Sequence, residues 1–251
     1  MINKVNKYIR ANALGSLNRS FPMKMRVLAN RTNFVYPELG VHFDRIAKNA
    51  NTFVYIILNQ FEKGYSAPLH RDLARKDSMA AIDMRLTDFP KFKSFRHLAV
   101  VRNPFDRAVS VFLHKVAPGT HRLYAKFPGY GDKSREGFKL FLNGIKNHNI
   151  RKSNHHMWSQ VESLVFKEIS CYTDIIRFEN IEADFAKFLR SLGAQGDFCG
   201  GGRSLVDPNK VTGAAKKRMD YLDDETAALV KVVYKEDFRA FGYSSDLVSL
   251  S

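Results

Sequence analysis

Three short segments of this chain of 251 residues have the pattern of β-strands. Apolar and polar residues alternate from Val41 to Ile46, residues 98–101 are continuously apolar, and residues 172–178 are rich in β-branched and aromatic side chains. Such patterns are typical of strands with at least one buried face. We therefore predict strands at these three positions.

Apolar residues recur at helical spacing in the segments that follow the predicted strands, and in two further segments. The predicted helices cover residues 53–63, 104–112, 134–147, 179–192 and 222–243. Strands that alternate with helices in this order predict an α/β fold with a central, mostly parallel sheet flanked by helices. Ligands of such sheets bind at the carboxyl ends of the strands.

Composition places the chain among globular proteins. A hydrophobic fraction of 45% and 251 residues suit a single domain, which we predict over residues 1–251 with a basic N-terminal extension at 1–35. Because 40 basic residues face 25 acidic ones, the net charge is +15, which attracts polyanionic ligands. Nucleic acid, an anionic glycan, an anionic membrane and a multiply charged nucleotide all fit this charge.

Cysteine content and hydropathy bear on the compartment. Two cysteines supply neither a disulfide framework nor a four-cysteine zinc site. No apolar run approaches the ~20 residues of a membrane span, and the N-terminus lacks a signal-like apolar core, so we expect a cytoplasmic protein.

In the basic segment 1–35, Val5, Tyr8 and Ile9 have helical spacing. This pattern fits either peripheral contact with an anionic membrane or a solvated packing helix.

A polar heptapeptide, residues 47–53, lies between the first predicted strand and its helix. The first turn of a helix offers unpaired N–H groups and the positive end of the helix dipole, which attract anions. Lys48 adds a positive charge, while Asn49, Asn51 and Thr52 can hydrogen-bond oxyanions. The stretch thus indicates a phosphate or sulfate site, and an ordinary helix N-cap is the alternative.

A second polar stretch follows the strand at 98–101. Arg102 stands at the carboxyl end of that strand, Asn103 suits an N-cap and Pro104 suits the first helical turn. Ser110 lies on the helix that follows, where its hydroxyl can reach an anion bound by Arg102.

These two stretches resemble the signatures of the sulfotransferases that use 3′-phosphoadenosine 5′-phosphosulfate (PAPS) as donor. Residues 47–52 look like their first signature, a Pro-Lys pair followed by small residues and Thr or Ser, with a departure at Ala47, where Pro is usual. Residues 102–110 match their second signature, Arg-Asn-Pro-aromatic-acid-Arg with a later Ser. The likeness runs from about Val41 to Tyr243 and is closest to carbohydrate sulfotransferases and their bacterial relatives. It implies a three-layer, P-loop-like sulfotransferase fold.

The resemblance also implies roles for individual residues and no metal ion. Lys48 would stabilise charge on the oxygen that leaves sulfur. Arg102 and Ser110 would bind the 3′-phosphate of PAPS, and Lys210 would belong to a basic loop over the donor. The residues implied to hold the 5′-phosphosulfate beside Lys48 are Asn49, Ala50, Asn51, Thr52 and Phe53.

The acceptor that the resemblance implies is a hydroxyl group of a glycan or glycolipid. Its proton must be removed as it attacks sulfur, and His is a usual base. We identify His70, between the two donor signatures, and His156, in the patch before the third strand, as candidates. We expect no specific nucleic-acid partner, and the oligomeric state is left open.

Three alternatives remain at this point. A P-loop phosphotransferase shares the strand-loop-helix arrangement, but the chain lacks the Gly-Lys-Ser/Thr pattern around Lys48. A basic nucleic-acid-binding protein fits the charge and predicts steeply salt-dependent binding. A sulfotransferase relative that binds PAPS without turnover is the third.

Overall fold

The computed structural model describes residues 4–20, 22–29, 32–65, 70–147, 154–195 and 213–247. The chain forms two units. The sheet unit contains Met1–Val101 and Ser163–Val206, and the helical unit contains Arg102–Glu162 and Asp207–Ser251. The interpretation of the chain as one domain stays a prediction.

The described residues contain five strands and eleven α-helices. In chain order they are α1 (Lys4–Leu17), α2 (Met25–Ala29), β1 (Asn33–Tyr36), β2 (Val41–Asp44), α3 (Asn51–Lys63), α4 (Arg71–Asp77), β3 (Met79–Ala80), β4 (Arg96–Val101), α5 (Pro104–Val111), α6 (Arg135–Asn147), α7 (Gln160–Ser163), β5 (Asp174–Arg177), α8 (Ile181–Ser191), α9 (Ala214–Tyr221), α10 (Asp224–Val233) and α11 (Lys235–Phe241). No helix among these is long and apolar enough to cross a membrane.

The sheet unit contains a five-stranded sheet within the described residues, in the order β3-β1-β2-β4-β5. Strands β2, β4 and β5 are parallel, whereas β1 is antiparallel to both of its neighbours. The predicted α/β fold, with a parallel core flanked by helices, is therefore confirmed. Because β2 and β4 are parallel neighbours, their carboxyl ends lie at the same edge of the sheet.

One face of this sheet is covered by α3 and α8. Alternate strand residues such as Phe43 and Leu98 point to this face and are fully buried with Ile57 of α3 and Phe185 of α8. Each such side chain contributes about 1.5–3 kcal/mol by leaving water. This packing fixes the first turn of α3 at the carboxyl end of β2.

The polar residues of β2 lie on the opposite face, yet they too are buried. His42 Nδ1 lies 3.2 Å from Nδ1 of His97, and the Asp44 carboxylate accepts hydrogen bonds from the Val165 N–H and the Tyr172 hydroxyl. Burial raises the pKa of Asp44 to about 7 and lowers the pKa of His97 to about 4. Burial also lowers the pKa of His42. The imidazoles of His42 and His97 are therefore both neutral at pH 7. Strand β2 alternates in sequence but is buried on both sides.

The helical unit has a core of apolar side chains from α5, α6, α9, α10 and α11, many of them aromatic. Phe112 lies at its centre, with ring centroids 5.3 Å from Phe138, 5.7 Å from Phe141 and 5.8 Å from Tyr221. Since all four side chains are buried, they hold the helices around α5 in place. The first turn of α5 is thus a well-supported position.

The predicted helix over residues 222–243 is divided in two. Its N-cap is Asp223, with a capping box that involves Thr226. Tyr234 interrupts the helix between α10 and α11 at φ −114° and ψ 27°. Its ring is buried 5.7 Å from the Arg107 guanidinium, and its hydroxyl donates to the Met157 carbonyl at 3.4 Å. We attribute the break to these tertiary contacts, which no helical periodicity reveals.

Residues 70–95, for which we predicted no helix or strand, are ordered. They contain α4, β3 and two 3-10 helices, Ala81–Asp83 and Leu86–Ser94. Pro90 lies inside the second of these, where a continuous α-helix would be disfavoured. Short elements of this kind carry too few periodic positions for a reliable prediction.

Candidate active site

The loop between β2 and α3 has an unusual backbone. Lys48 has φ 73° and Ala50 has φ 54°, and these are the non-glycine residues with positive φ among those the structure describes. Asn49 between them does not share this conformation. Alternation of this kind turns successive backbone N–H groups toward one side and creates a concave surface that binds anions. The left-handed conformation costs an L-residue about 1–2 kcal/mol, so the surrounding structure must hold it.

Asn49 attaches this loop to the sheet. Its side chain is fully buried, and its Nδ2 donates to the carbonyl oxygen of Val100 in β4 at 2.8 Å. Its backbone N–H donates to Ile46 at 3.2 Å. Ile46 and Ala47 are buried as well. Asn49 therefore has a structural contact that its prediction as a donor-binding residue did not include.

Helix α3 begins without a side-chain cap. Its N-cap residue is Ala50, which offers no side-chain hydrogen bond. The ordinary N-cap that was the alternative for this stretch is thus not what the structure has. The N–H groups of the first turn, at Asn51, Thr52 and Phe53, have no acceptor within the helix itself. An anion at this terminus would also meet the positive end of the helix dipole.

The side chains of this first turn differ in their surroundings. Phe53 is buried against Phe185 of α8 at 5.5 Å between ring centroids, so it anchors the turn. The Thr52 hydroxyl lies 3.5 Å from the Tyr55 hydroxyl. Asn51 Oδ1 is buried and has no hydrogen-bond partner among the described residues. An acceptor atom of this kind favours a ligand hydroxyl or amino group nearby.

The strained loop yields a stability prediction. Because glycine adopts positive φ without steric cost, we expect Ala50→Gly to raise the free energy of unfolding by about 1 kcal/mol. Ala47→Gly is the matched control: Ala47 is buried without positive φ, so the same change should destabilise the fold. Urea denaturation of both variants measures the difference. Destabilisation of both to the same extent would contradict the loop geometry.

The second candidate group belongs to the helical unit and begins at Arg102. The Arg102 N–H donates to Gln160 Oε1, and Gln160 Nε2 donates to the Arg102 carbonyl, both at 2.8 Å. The next residue, Asn103, caps α5 by accepting the Phe105 N–H at 2.9 Å, and Pro104 occupies the first turn. The predicted cap is therefore confirmed, and the backbone at Arg102 is fixed from both sides.

Asp237 completes this arrangement from α11. Its two carboxylate oxygens accept the N–H groups of Gln160 at 2.9 Å and Val161 at 3.0 Å. Asp237 is fully buried, and burial raises the pKa of its carboxyl group. Arg107, 1% exposed, exerts the next largest effect on that pKa and lowers it. Asp237 thus positions Gln160, which in turn positions Arg102.

Ser110, the other residue predicted to hold the 3′-phosphate, lies in α5. Its side chain is 1% exposed and that of Arg102 is 6% exposed. One turn before Ser110, Asp106 forms an ion pair with Arg218 of α9 at 3.4 Å. This ion pair fixes the same stretch of α5 to α9, so Ser110 occupies a rigid part of the helical unit.

His156 has a defined hydrogen-bond environment. Oδ1 of Asn154 accepts the His156 backbone N–H at 3.1 Å, so this atom is the amide oxygen, and it lies 2.8 Å from His156 Nδ1. Nδ1 must therefore donate, which leaves the lone pair of the neutral ring on Nε2. The Tyr124 hydroxyl lies 3.3 Å from Nδ1 as well. These contacts orient a half-buried imidazole whose neutral ring has its lone pair on Nε2.

His70 has a different role in the structure. It is exposed and caps α4, where its Nδ1 accepts the Asp72 N–H at 3.4 Å. The lone pair of the neutral ring is thus on Nδ1 and faces the helix. Its assignment as a catalytic base stays a prediction, as does that of His156. Lys210 lies outside the described residues.

Sequence reasoning missed the residues that position the candidates. Gln160 bonds the backbone of Arg102, which is 58 residues away in the sequence. Asp237 bonds Gln160, which is 77 residues away. Asn154 orients His156 from two residues away. Of these contacts, only the one between Asn154 and His156 had a signal in the sequence. That signal, the Asn-x-His spacing, is weak. Among the described residues, no group of three or more His, Cys, Asp or Glu side chains is placed to hold a metal ion.

Comparison with known proteins bears on the same segments. The model of the sulfotransferase family matches residues 16–244, which include the loop after β2 and the start of α5. No curated protein and no solved structure matches the chain. Since the family model covers nearly all of the 251 residues, the chain belongs to the sulfotransferase family.

Proposed function

We propose that this protein transfers the sulfuryl group of PAPS to a hydroxyl group of a glycan or glycolipid. Membership of the sulfotransferase family supports sulfuryl transfer in general. The observation that carries the proposal of a PAPS donor is the uncapped start of α3, with positive φ at Lys48 and Ala50. This loop offers backbone N–H groups and the ammonium group of Lys48 at the carboxyl end of β2, which is parallel to β4.

At the 5′ end of the donor, the loop 47–53 would bind the phosphosulfate through its backbone N–H groups. The acceptor oxygen forms a bond to sulfur while the bond from sulfur to the bridging oxygen breaks. Negative charge then builds on that oxygen, which stays with the phosphate. The Lys48 ammonium group would donate a hydrogen bond to it, a form of electrostatic stabilisation that acts mainly in the transition state.

At the 3′ end of the donor, Arg102 would form a charge-assisted pair with the phosphate, and the Ser110 hydroxyl would donate a hydrogen bond. The two hydrogen bonds with Gln160 fix the backbone of Arg102, so less backbone freedom is lost on binding. A 5′-nucleotide that lacks the 3′-phosphate would not engage this group. We thus expect the 3′-phosphate to dominate nucleotide selectivity.

Replacement of Arg102 tests this assignment. Loss of a charge-assisted pair should weaken binding of 3′-phosphoadenosine 5′-phosphate about 100-fold in Arg102→Ala, while the weaker affinity for 5′-AMP stays the same. Arg239→Ala is the control, because Arg239 belongs to the same unit and its side chain is 79% exposed. Calorimetric titration of the three proteins gives the affinities. An equal loss for both nucleotides would assign Arg102 to another part of the donor.

The acceptor hydroxyl needs a base, and we propose His156. Its Nε2 carries the lone pair because Nδ1 donates to Asn154. It would accept the hydroxyl proton as the oxygen attacks sulfur. The glycan part of the proposal rests on the resemblance to carbohydrate sulfotransferases and on the net charge of +15, which favours the encounter with anionic glycans.

Transfer of radiolabelled sulfuryl groups tests the proposed function. The protein is incubated with sulfur-labelled PAPS and, separately, with anionic glycans, neutral glycans, glycolipids and small hydroxylated metabolites. Label in a glycan or glycolipid product supports the proposal. Label only in a small metabolite would overturn the acceptor class and keep the donor. No labelled product, with terminal phosphate transfer from ATP instead, would overturn the donor as well.

A further inference from the structure

Helix α1 exposes apolar side chains on the face away from the core. Val5, Tyr8 and Ile9 are 66%, 51% and 60% exposed, and their spacing of three and four residues places them on one stripe. Ala11 and Leu14 lie on the opposite face and are fully buried. We call Val5, Tyr8 and Ile9 the outer stripe. The outer stripe covers the first two turns of α1, and exposed apolar side chains grouped in this way offer a contact surface.

Contacts on the inner side fix the orientation of this helix. The Arg10 guanidinium donates to the carbonyl oxygens of Ile82 and Met84 and lies over the ring of Phe89 at 5.3 Å. Near the other end of α1, Asn18 donates from Nδ2 to the Phe89 carbonyl at 2.9 Å. These contacts attach α1 to the sheet unit along its length. The outer stripe therefore keeps its outward direction.

The N-terminal segment that contains the stripe carries charge of one sign. Residues 1–37 contain seven Lys and Arg residues and no Asp or Glu, and the first acidic residue of the chain is Glu38. Lys7 is half-buried, whereas Arg19 and Arg26 are exposed. A partner for this region must accept apolar side chains and carry negative charge. An anionic lipid bilayer offers both within a few ångströms of its surface.

We propose that the outer stripe of α1 docks on an anionic lipid bilayer. Val5 and Ile9 enter the boundary between headgroups and acyl chains, and Tyr8 places its ring there with its hydroxyl toward water. Arg19 and Arg26, which are exposed in the same basic segment, add electrostatic attraction to the headgroup phosphates. This surface does not depend on the proposed sulfuryl donor, and docking is expected with or without nucleotide.

Sedimentation with lipid vesicles tests this surface with the full chain. The wild-type protein should bind vesicles of phosphatidylcholine with phosphatidylserine more tightly than vesicles of phosphatidylcholine alone, and high salt should weaken the binding. Ile9→Asp and, separately, Val5→Asp should lower the partition coefficient about tenfold. The double variant Arg19→Glu and Arg26→Glu should lower it about tenfold as well, because it reverses two exposed charges.

Val232→Asp is the matched control. Val232 is 57% exposed, close to the 60% of Ile9, but lies on α10 in the helical unit. It should bind vesicles as the wild type does. The proposal is overturned if the wild type does not bind, or if Ile9→Asp and Val5→Asp bind as Val232→Asp does. It is also overturned if light scattering shows a wild-type dimer that Ile9→Asp converts to monomers, since the stripe then contacts a second copy.

Discussion

Lys48→Ala is expected to lower the rate of sulfuryl transfer about 10²- to 10³-fold. Loss of the ammonium group removes a donor at the bridging oxygen, where charge develops only as the bond to sulfur breaks. The backbone N–H groups of the loop remain, so affinity for 3′-phosphoadenosine 5′-phosphate should fall much less than the rate. The rate is measured as release of this nucleotide from PAPS with the acceptor found by labelling.

Lys63→Ala is the control for Lys48→Ala. Lys63 lies at the other end of α3, where its side chain is 44% exposed beside Glu62. Its loss should leave the rate unchanged. A Lys48→Ala protein with the wild-type rate would exclude Lys48 from the transition state. A fall in nucleotide affinity as large as the fall in rate would assign Lys48 to ground-state binding instead.

The second prediction separates the two candidate bases. His156→Ala should lower the rate of transfer about 10²-fold, because the proposed acceptor of the hydroxyl proton is lost. His70→Ala should leave the rate unchanged, since His70 uses Nδ1 to cap α4. The cap contact is worth roughly 1 kcal/mol, so His70→Ala should show its effect as a lower melting temperature.

Replacement of Asn154 gives an independent test. Asn154→Ala should lower the rate less than His156→Ala does, because the ring remains and only its orientation is lost. A slow His70→Ala protein beside a fully active His156→Ala protein would reverse the assignment.

The elements that carry the candidate residues were predictable because their signals are local. Asn103 and Pro104 occur in the order that starts a helix, and the structure has them at the cap and first turn of α5. The apolar run after Thr52 became the buried face of α3, and the helix ends at Gly64 with φ 66°. Each of these features depends on neighbouring residues only.

The loop conformation at Lys48 and Ala50 was not predictable. Positive φ is usually signalled by glycine, and neither position has one. The contact that supports the loop, from Asn49 to Val100, joins residues 51 positions apart. The strained backbone lies at Lys48 and Ala50, whereas the contact that stabilises it comes from a distant strand. The sequence therefore predicted only a polar turn at this position.

Side chains that act across long separations were also missed. Gln160 binds the backbone of Arg102 and is itself held by Asp237, and nothing in the order of these residues links them.

Strand β1 was missed because its pattern is not that of a half-exposed strand. Its residues Asn33–Tyr36 are buried throughout, so they lack the alternation of a strand with one solvated face.

Calorimetric titration of the wild-type protein with 3′-phosphoadenosine 5′-phosphate, ADP and 5′-AMP tests the central claim most directly. A PAPS-dependent sulfotransferase should bind the first nucleotide at least about 100-fold more tightly than the other two, because only it carries the 3′-phosphate. Equal affinity for all three, or preference for ADP, would contradict the proposed donor.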